Sequence, residues 1–269
     1  MTTDPLVSFI TPAHNRAKEL KAALASCLAQ TQENWEAVII DDHSDRADLK
    51  ALVGTFNDSR IRYIPQEVGR KGEAAGRETA ITEARSNILI TLDSDDLNHP
   101  QRAARCHELL KVPTPRLLYT RVQLFSSSNP SARRKPVFQP FNAKLLEMVN
   151  FITNPGTAFN REAYIAAGGH YDTPLKLATD YDQFLRMARA GVSIIGLDEI
   201  HVSYRKHAGA VTSGAGGALH CAVMQVRQQN NVTPFPIEAI RAHALPELCH
   251  NILDNPEQRA LWTDDRWNA

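Results

Sequence analysis

The chain has 269 residues, 43% of them hydrophobic, with 30 basic and 30 acidic side chains. This length suits one large globular domain or a domain with an appendage, and zero net charge gives no electrostatic case for a nucleic-acid partner. Cys27, Cys106, Cys221 and Cys249 are scattered without a CxxC pair, so neither a zinc site nor a disulfide framework is indicated. The opening MTTDPLVSFI has no basic segment leading into an apolar one, and no apolar stretch reaches 18 residues. The expectation is therefore a cytoplasmic protein without a signal peptide or membrane span.

Strand and helix signals alternate through the first half. LVSFIT (6–11) reads as a buried strand, and Leu20, Ala23, Leu24, Cys27 and Leu28 follow at helical spacing behind Asn15, a candidate cap. WEAVII (35–40) is a second strand ending in Asp41-Asp42. A short helix over about 46–56 leads to IRYIP (61–65), a further helix spans about 73–85, and NILITL closes the series as a strand. This order predicts an α/β fold with a mostly parallel sheet covered by helices. In such sheets ligands bind beyond the carboxyl ends of the strands. Three polar clusters fall there: Thr11 to Arg16, Asp41-Asp42, and Asp93 to Asp96.

The run Asp93-Ser94-Asp95-Asp96 carries the most chemistry. Strand alternation points Asp93 and Asp95 the same way, roughly 7 Å apart along the chain. Carboxylates so crowded repel one another unless a cation shares them, and hard oxygen ligands suit Mg²⁺ or Mn²⁺. The competing reading is a polar turn before the helix that follows Pro100. Further on, Tyr181, Phe184, Leu185 and Ala188 fall at i, i+3, i+4 and i+7, so a helix starts near Asp180 and buries that face. Its N-terminal end favours an ionised carboxylate there. From the pattern alone Asp180 is either a helix cap or a proton acceptor, and Asp182 faces another way.

VSFITPAHNR, VIIDDHS, AAGRETAI, ITLDSDDLNHP, AAGGHYDTPLKLATDYDQFLRMARAG and YRKHAGAVT together resemble, in order and spacing, the inverting GT-A glycosyltransferases of the large family numbered two, over residues 6–213. The resemblance implies a Rossmann-like GT-A fold and a nucleotide-diphosphate-sugar donor. Thr11, Pro12, Ala13 and Asn15 would then surround the nucleobase and ribose, with Asp42 accepting a ring N–H. An imide N–H favours UDP or dTDP, and guanine leaves GDP open. Arg77 matches the arginine of the family's ARN segment, here GRE, and would contact base or phosphates. Asp95 would be the main ligand of Mn²⁺ or Mg²⁺, with Asp96 the close alternative and Asp93 beside them at the donor. Asp180 would be the general base of a single displacement. His207 would complete the metal shell or touch the diphosphate, with Arg205 offsetting its charge.

The expected division is a nucleotide-sugar-binding half (1–110), an acceptor-binding half (111–213) with a smaller mixed sheet over about 116–160, and a helical appendage and tail (214–269). Helical patterns cover about 218–230 and 237–254, interrupted at Pro246. AGAVTSGAGGA reads as a lid or a linker. Trp262 and Trp267 read as packing or fraying in the tail. Arg70 and Lys71 read as solvated loop charges. Arg133, Arg134 and Lys135 form an exposed basic loop that would meet an anionic lipid-linked acceptor or a membrane surface if it has a partner. The acceptor would be a glycan, lipid-linked or other hydroxyl, in bacterial-type surface glycan synthesis. Two alternatives compete: a sugar-nucleotide nucleotidyltransferase, against which TPAHNR lacks the glycines of a phosphate loop, and a non-catalytic nucleotide-sugar-binding protein.

Overall fold

β1 (Val7–Ala13) is buried at every position but Pro12, and β2 (Trp35–Asp41) throughout. Val7, Phe9, Ala37 and Ile39 enter one apolar layer, while Ile10, Val38 and Ile40 enter the other. A strand buried on both faces reads as a continuous apolar run, which is why these segments show no alternation in the sequence. These strands come from a computed structural model, which describes residues 4–126, 133–134, 136, 138–171, 174–207, 216–233 and 235–254.

Between and after them run α1 (Ala17–Leu28), α2 (Leu49–Gly54), β3 (Ile61–Pro65), α3 (Glu73–Glu83), β4 (Ile88–Thr91), β5 (Leu97–Asn98) and α4 (Arg102–Leu110). The remainder comprises β6 (Arg116–Ser126), α5 (Ala143–Met148), β7 (Thr157–Asn160), α6 (Arg161–Ala166), α7 (Thr179–Arg189), β8 (Ser193–Lys206), α8 (Gly216–Gln229) and α9 (Pro246–Leu253). The eight strands form one sheet in the order β3-β2-β1-β4-β7-β6-β8-β5. β3, β2, β1 and β4 are mutually parallel, as is β8 to β6. β7 runs antiparallel to both β4 and β6, and β5 antiparallel to β8.

The α/β class and the mostly parallel, helix-covered sheet are as expected. One detail differs: the strands expected as a smaller sheet continue the main one, because β7 inserts beside β4 through Ile88↔Asn160 and Ile90↔Ala158. Chain order reverses at β1, whose neighbours are β2 on one side and β4 on the other. A crevice therefore opens beyond the carboxyl ends of β1 and β4.

The C-terminal helices pack on the second half of the sheet. Ile240, Cys249, Ile252 and Leu253 join Leu145, Met148 and Val149 of the α5 region in one apolar cluster. Pro246 opens α9 rather than interrupting a longer helix, since the first turn has no use for its missing N–H. Of the lid-or-linker stretch, residues 208–215 lie outside the described residues, as do Lys135, Trp262 and Trp267, and the rest opens α8.

α3 crosses β1 at Gly76, where a Cβ would stand 2.8 Å from Pro12 Cβ. The glycine of GRE thus meets a packing requirement. In an open helix Gly→Ala gains about 1 kcal/mol, but overpacking against a rigid ring costs about 1–3 kcal/mol. Gly76→Ala is expected to lower the melting temperature, as read by circular dichroism; an unchanged or raised value would refute the close-approach argument.

Candidate active site

A cleft of about 840 Å³ lies beyond the carboxyl ends of β1, β2 and β4 and is bounded on its far side by the start of α7. Pro12, Ala13, Asn15, Asp42, Asp93, Asp95, Asp180 and Arg205 line it. Residues from both halves of the sequence therefore meet here, along with Arg16, Glu73 and the 153–155 segment.

At the β1–β2 end, Asn15 adopts a left-handed conformation with φ 56°. Its Oδ1 accepts from Asp45 N at 3.1 Å and Arg46 N at 2.8 Å, and its Nδ2 donates to Asp45 Oδ1 at 2.7 Å. Asn15 thus braces the loop after β2 with its side-chain amide. Asp41 is occupied by Ser44 N and by the Tyr63 hydroxyl. Asp42 differs: Oδ2 accepts from Gly72 N at 2.9 Å, whereas Oδ1 is buried without a hydrogen-bond partner. An orphan carboxylate oxygen is costly to bury unless a ligand N–H completes it. Thr11 does not reach the cleft; its side chain is wholly buried in the sheet layer behind it.

At the β4 end the carboxylates separate by environment. Asp93 Oδ1 accepts from Arg77 Nη2 at 2.7 Å, and the same nitrogen pairs with Glu73. Arg77 is fully buried and stands behind the carboxylates, not at the cleft surface where base or phosphates would meet it. Its position on the buried face of α3 explains this correction. Asp95 stays at the cleft, with Oδ2 lying 2.9 Å from His207 Nε2 and 3.3 Å from Arg16 Nη1. Asp96 turns inward: Oδ1 accepts from Arg205 N at 2.7 Å, and the side chain is 0% exposed. Burial, reinforced by the Asp93 and Asp95 charges, pushes its carboxyl well above the usual carboxylate range. A buried group of that kind fixes the turn to β8 and is not placed to ligate a cation in the cleft. Arg205 folds back, donating from Nε to Asp95 O at 2.7 Å and stacking over Phe125 at 4.6 Å.

Asp95 and His207 offer one carboxylate oxygen and one imidazole nitrogen to a cation. Among the described residues no group of three or more His, Cys, Asp and Glu is arranged to hold a metal. The pair fits an ion gripped at two protein points and completed by phosphate and water, and the imidazole suits Mn²⁺ better than Mg²⁺.

On the far side of the cleft, Ala178 precedes α7 with φ 58° and ψ 24°, a strained conformation for a non-glycine residue. Asp180 follows in the first turn, where its Oδ1 accepts from Tyr181 N at 2.8 Å. The helix-start field would hold its pKa down, but burial overrides it and raises the pKa; the Arg77 charge and the Tyr181 N–H oppose burial without cancelling it. Asp182 is committed elsewhere, to Arg186 Nε and Asn230 Nδ2, both at 2.8 Å. The opposite wall is pinned by buried Arg102, which donates to Pro155 O at 2.6 Å and Thr157 O at 3.0 Å. Arg16, Glu73 and Arg102 were not singled out from the sequence; of these only Arg16 had a signal, as the last member of the polar cluster after β1.

The basic residues at the periphery are occupied too. Arg70 pairs with Glu78 at 2.6 Å, and Arg133 Nη1 lies 3.2 Å from both Gln123 Oε1 and Ser203 Oγ. No helix among the described residues is long and apolar enough to cross a membrane.

Solved structures share this architecture. Staphylococcus aureus TarS (residues 1–349, in complex with UDP-GlcNAc) superposes with a TM-score of 0.67 at 15% identity, covering 95% of this chain and 78% of that one. The Pyrobaculum calidifontis mannosyltransferase PcManGT, in complex with GDP-Man and Mn²⁺, gives 0.59 at 19% identity over 97% of this chain and 73% of that one. The fold is that of the GT-A glycosyltransferases. Among curated proteins, Escherichia coli K12 WcaA, named for colanic acid biosynthesis as a glycosyl transferase, is 32% identical over 70% of this chain and 67% of its own length. Escherichia coli WfgD, a UDP-Glc:α-D-GlcNAc-diphosphoundecaprenol β-1,3-glucosyltransferase, is 41% identical over 35% of this chain, and that match spans 36% of WfgD. The model of glycosyl transferase family 2 matches residues 8–168, and the chain belongs to that family.

A carboxyl whose folded pKa is raised destabilises the folded state at pH values above that pKa, and the penalty vanishes once the group is protonated in both states. Asp180→Asn is therefore expected to melt at or above the wild-type temperature at pH 7, with the difference shrinking as pH falls through the raised pKa toward the ordinary 3.8. Thermal melts across pH test this; a variant destabilised at pH 7 and rescued by acid would contradict it.

Proposed function

We propose that this protein transfers a sugar from a UDP- or dTDP-sugar to the hydroxyl of a lipid-linked or other glycan acceptor, with inversion, in surface glycan synthesis. One observation carries the reading: Asp180, from the acceptor half, lines the same cleft as Asp93 and Asp95, from the donor half. The names of WcaA and WfgD support a surface-glycan role and a lipid-linked acceptor, and the UDP-GlcNAc and UDP complexes of TarS support the donor class. A lipid-linked acceptor places the reaction at a membrane face, with the protein peripheral on its cytoplasmic side. The division at 110 and 213 belongs to the same reading. Family membership replaces the nucleotidyltransferase alternative, and a turnover assay is the test of the non-catalytic one.

In this reading Pro12 and Ala13 flank the nucleoside, and the orphan Oδ1 of Asp42 accepts the imide N–H of uracil or thymine. Asn15 acts by holding the adjoining loop. Arg77 fixes Asp93, while Asp95 and His207 would hold Mn²⁺ or Mg²⁺, which supplies Lewis-acid neutralisation of the diphosphate leaving group. Asp180 takes the proton of the acceptor hydroxyl. Burial raises its pKa, which makes it a stronger base than a solvated aspartate. The inverted product follows from a single displacement.

Calorimetry should find UDP binding at least about tenfold tighter with Mn²⁺ than in EDTA, about 1.4 kcal/mol. Equal affinity in both buffers would remove the metal from the reading.

With the true acceptor in hand, Asp180→Asn is expected to bind UDP as the wild type does and to lose at least about a hundredfold in transfer rate. The wild-type product should carry the anomeric configuration opposite to the donor's, as read by NMR. Retention, or an active Asp180→Asn enzyme, would overturn the mechanism.

A further inference from the structure

Arg16 stands at the join between β1 and α1, outside the helix, with φ −112° and ψ 50°. Its Nη1 lies 3.3 Å from Asp95 Oδ2 and 3.1 Å from His207 Nε2, while those two atoms are 2.9 Å apart. The three contacts of this triangle cannot all be hydrogen bonds at once. Nε2 has one bonding direction: with its proton it donates to Asp95, and without it it accepts from Arg16. The guanidinium therefore adds a positive charge between a carboxylate oxygen and an imidazole nitrogen, the two groups that would grip a divalent ion. A guanidinium and such an ion compete for the same Asp95 oxygen. Arg205 is a poor candidate for this exchange, because its Nε holds Asp95 O and its plane lies over Phe125.

Resting on the donor reading above, we propose that Arg16 is a resident counter-cation of the Asp95–His207 pair, displaced by the divalent ion and passed to the donor's diphosphate. The side chain is suited to this transfer: it is 27% exposed and lines the cleft, so it can leave Asp95 without crossing the protein interior. A diphosphate offers the forked guanidinium a bidentate acceptor in exchange. The consequence is coupled loading. Without nucleotide, Arg16 opposes metal binding; with nucleotide, it rewards it, and linkage makes the effect reciprocal.

Mn²⁺ binding read by electron paramagnetic resonance, with and without UDP, tests this on the full chain. Arg16→Gln should take up free Mn²⁺ at least about tenfold more tightly than the wild type when no nucleotide is present. The factor by which UDP tightens Mn²⁺ should shrink by a similar amount. Arg16→Lys, which keeps the charge, should stay nearer the wild type in both, and adding Asp95→Asn to Arg16→Gln should abolish the gain. If Mn²⁺ binds wild type and Arg16→Gln alike, and UDP tightens it equally in both, the role of Arg16 is overturned while the metal reading stands. If Mn²⁺ binds neither protein even with UDP present, the metal reading falls and this inference falls with it.

Discussion

Negative charge crowded at one end of a sheet is the constraint that the rest of this site answers. Glu73, Asp93, Asp95 and Asp180 line one cleft, with Asp96 buried directly behind it. Two like charges 4 Å apart repel by about 4 kcal/mol at an effective dielectric of 20, a large fraction of the roughly 5–15 kcal/mol by which a domain is stable. The fold answers in three ways. Arg77 is buried permanently against Asp93 and Glu73. Asp96 is buried behind the cleft, where desolvation pushes its carboxyl well above the usual carboxylate range. Asp95 alone keeps its compensation at the cleft surface, from His207 and Arg16.

The sheet makes that sorting possible. Because chain order reverses at β1, the turns after β1 and β4 open side by side, and the antiparallel β7 carries the 153–155 wall up to them. Gly76 lets α3 lie against Pro12, and that depth brings Arg77 behind Asp93. Backbone packing and charge placement are one requirement here.

Much of this was legible in the chain. Continuous apolar runs gave the parallel strands, because burial on both faces removes any alternation. DSDD at a strand end and the spacing of Tyr181, Phe184 and Leu185 gave the two sources of carboxylates, and the structure brings them to one cleft. What the residues could not reveal was depth. Asp95 and Asp96 are chemically identical neighbours, and only the β8 backbone, offering Arg205 N, decides which is buried. Thr11 and Arg77 looked like binding residues by position yet lie a layer too deep. The path of β7 escaped because a four-residue strand carries too little pattern to announce its direction. Helix-start reasoning for Asp180 left out desolvation, a tertiary property invisible in a local pattern, which raises its pKa.

α7 is held from behind as well as from the cleft. Asn230 of the segment following α8 bonds Asp182, Arg227 of α8 donates to Met148 O, and the Tyr181 hydroxyl donates to Leu146 O at 2.9 Å. Residues far from the strand-end carboxylates thus set how α7, and with it that rim of the cleft, is seated. For anyone redesigning the enzyme, this separates two adjustments that active sites usually entangle. Under the proposed reading, the nucleotide grip is left untouched while acceptor preference is tuned from the back of the helix, through side chains that line no part of the cleft.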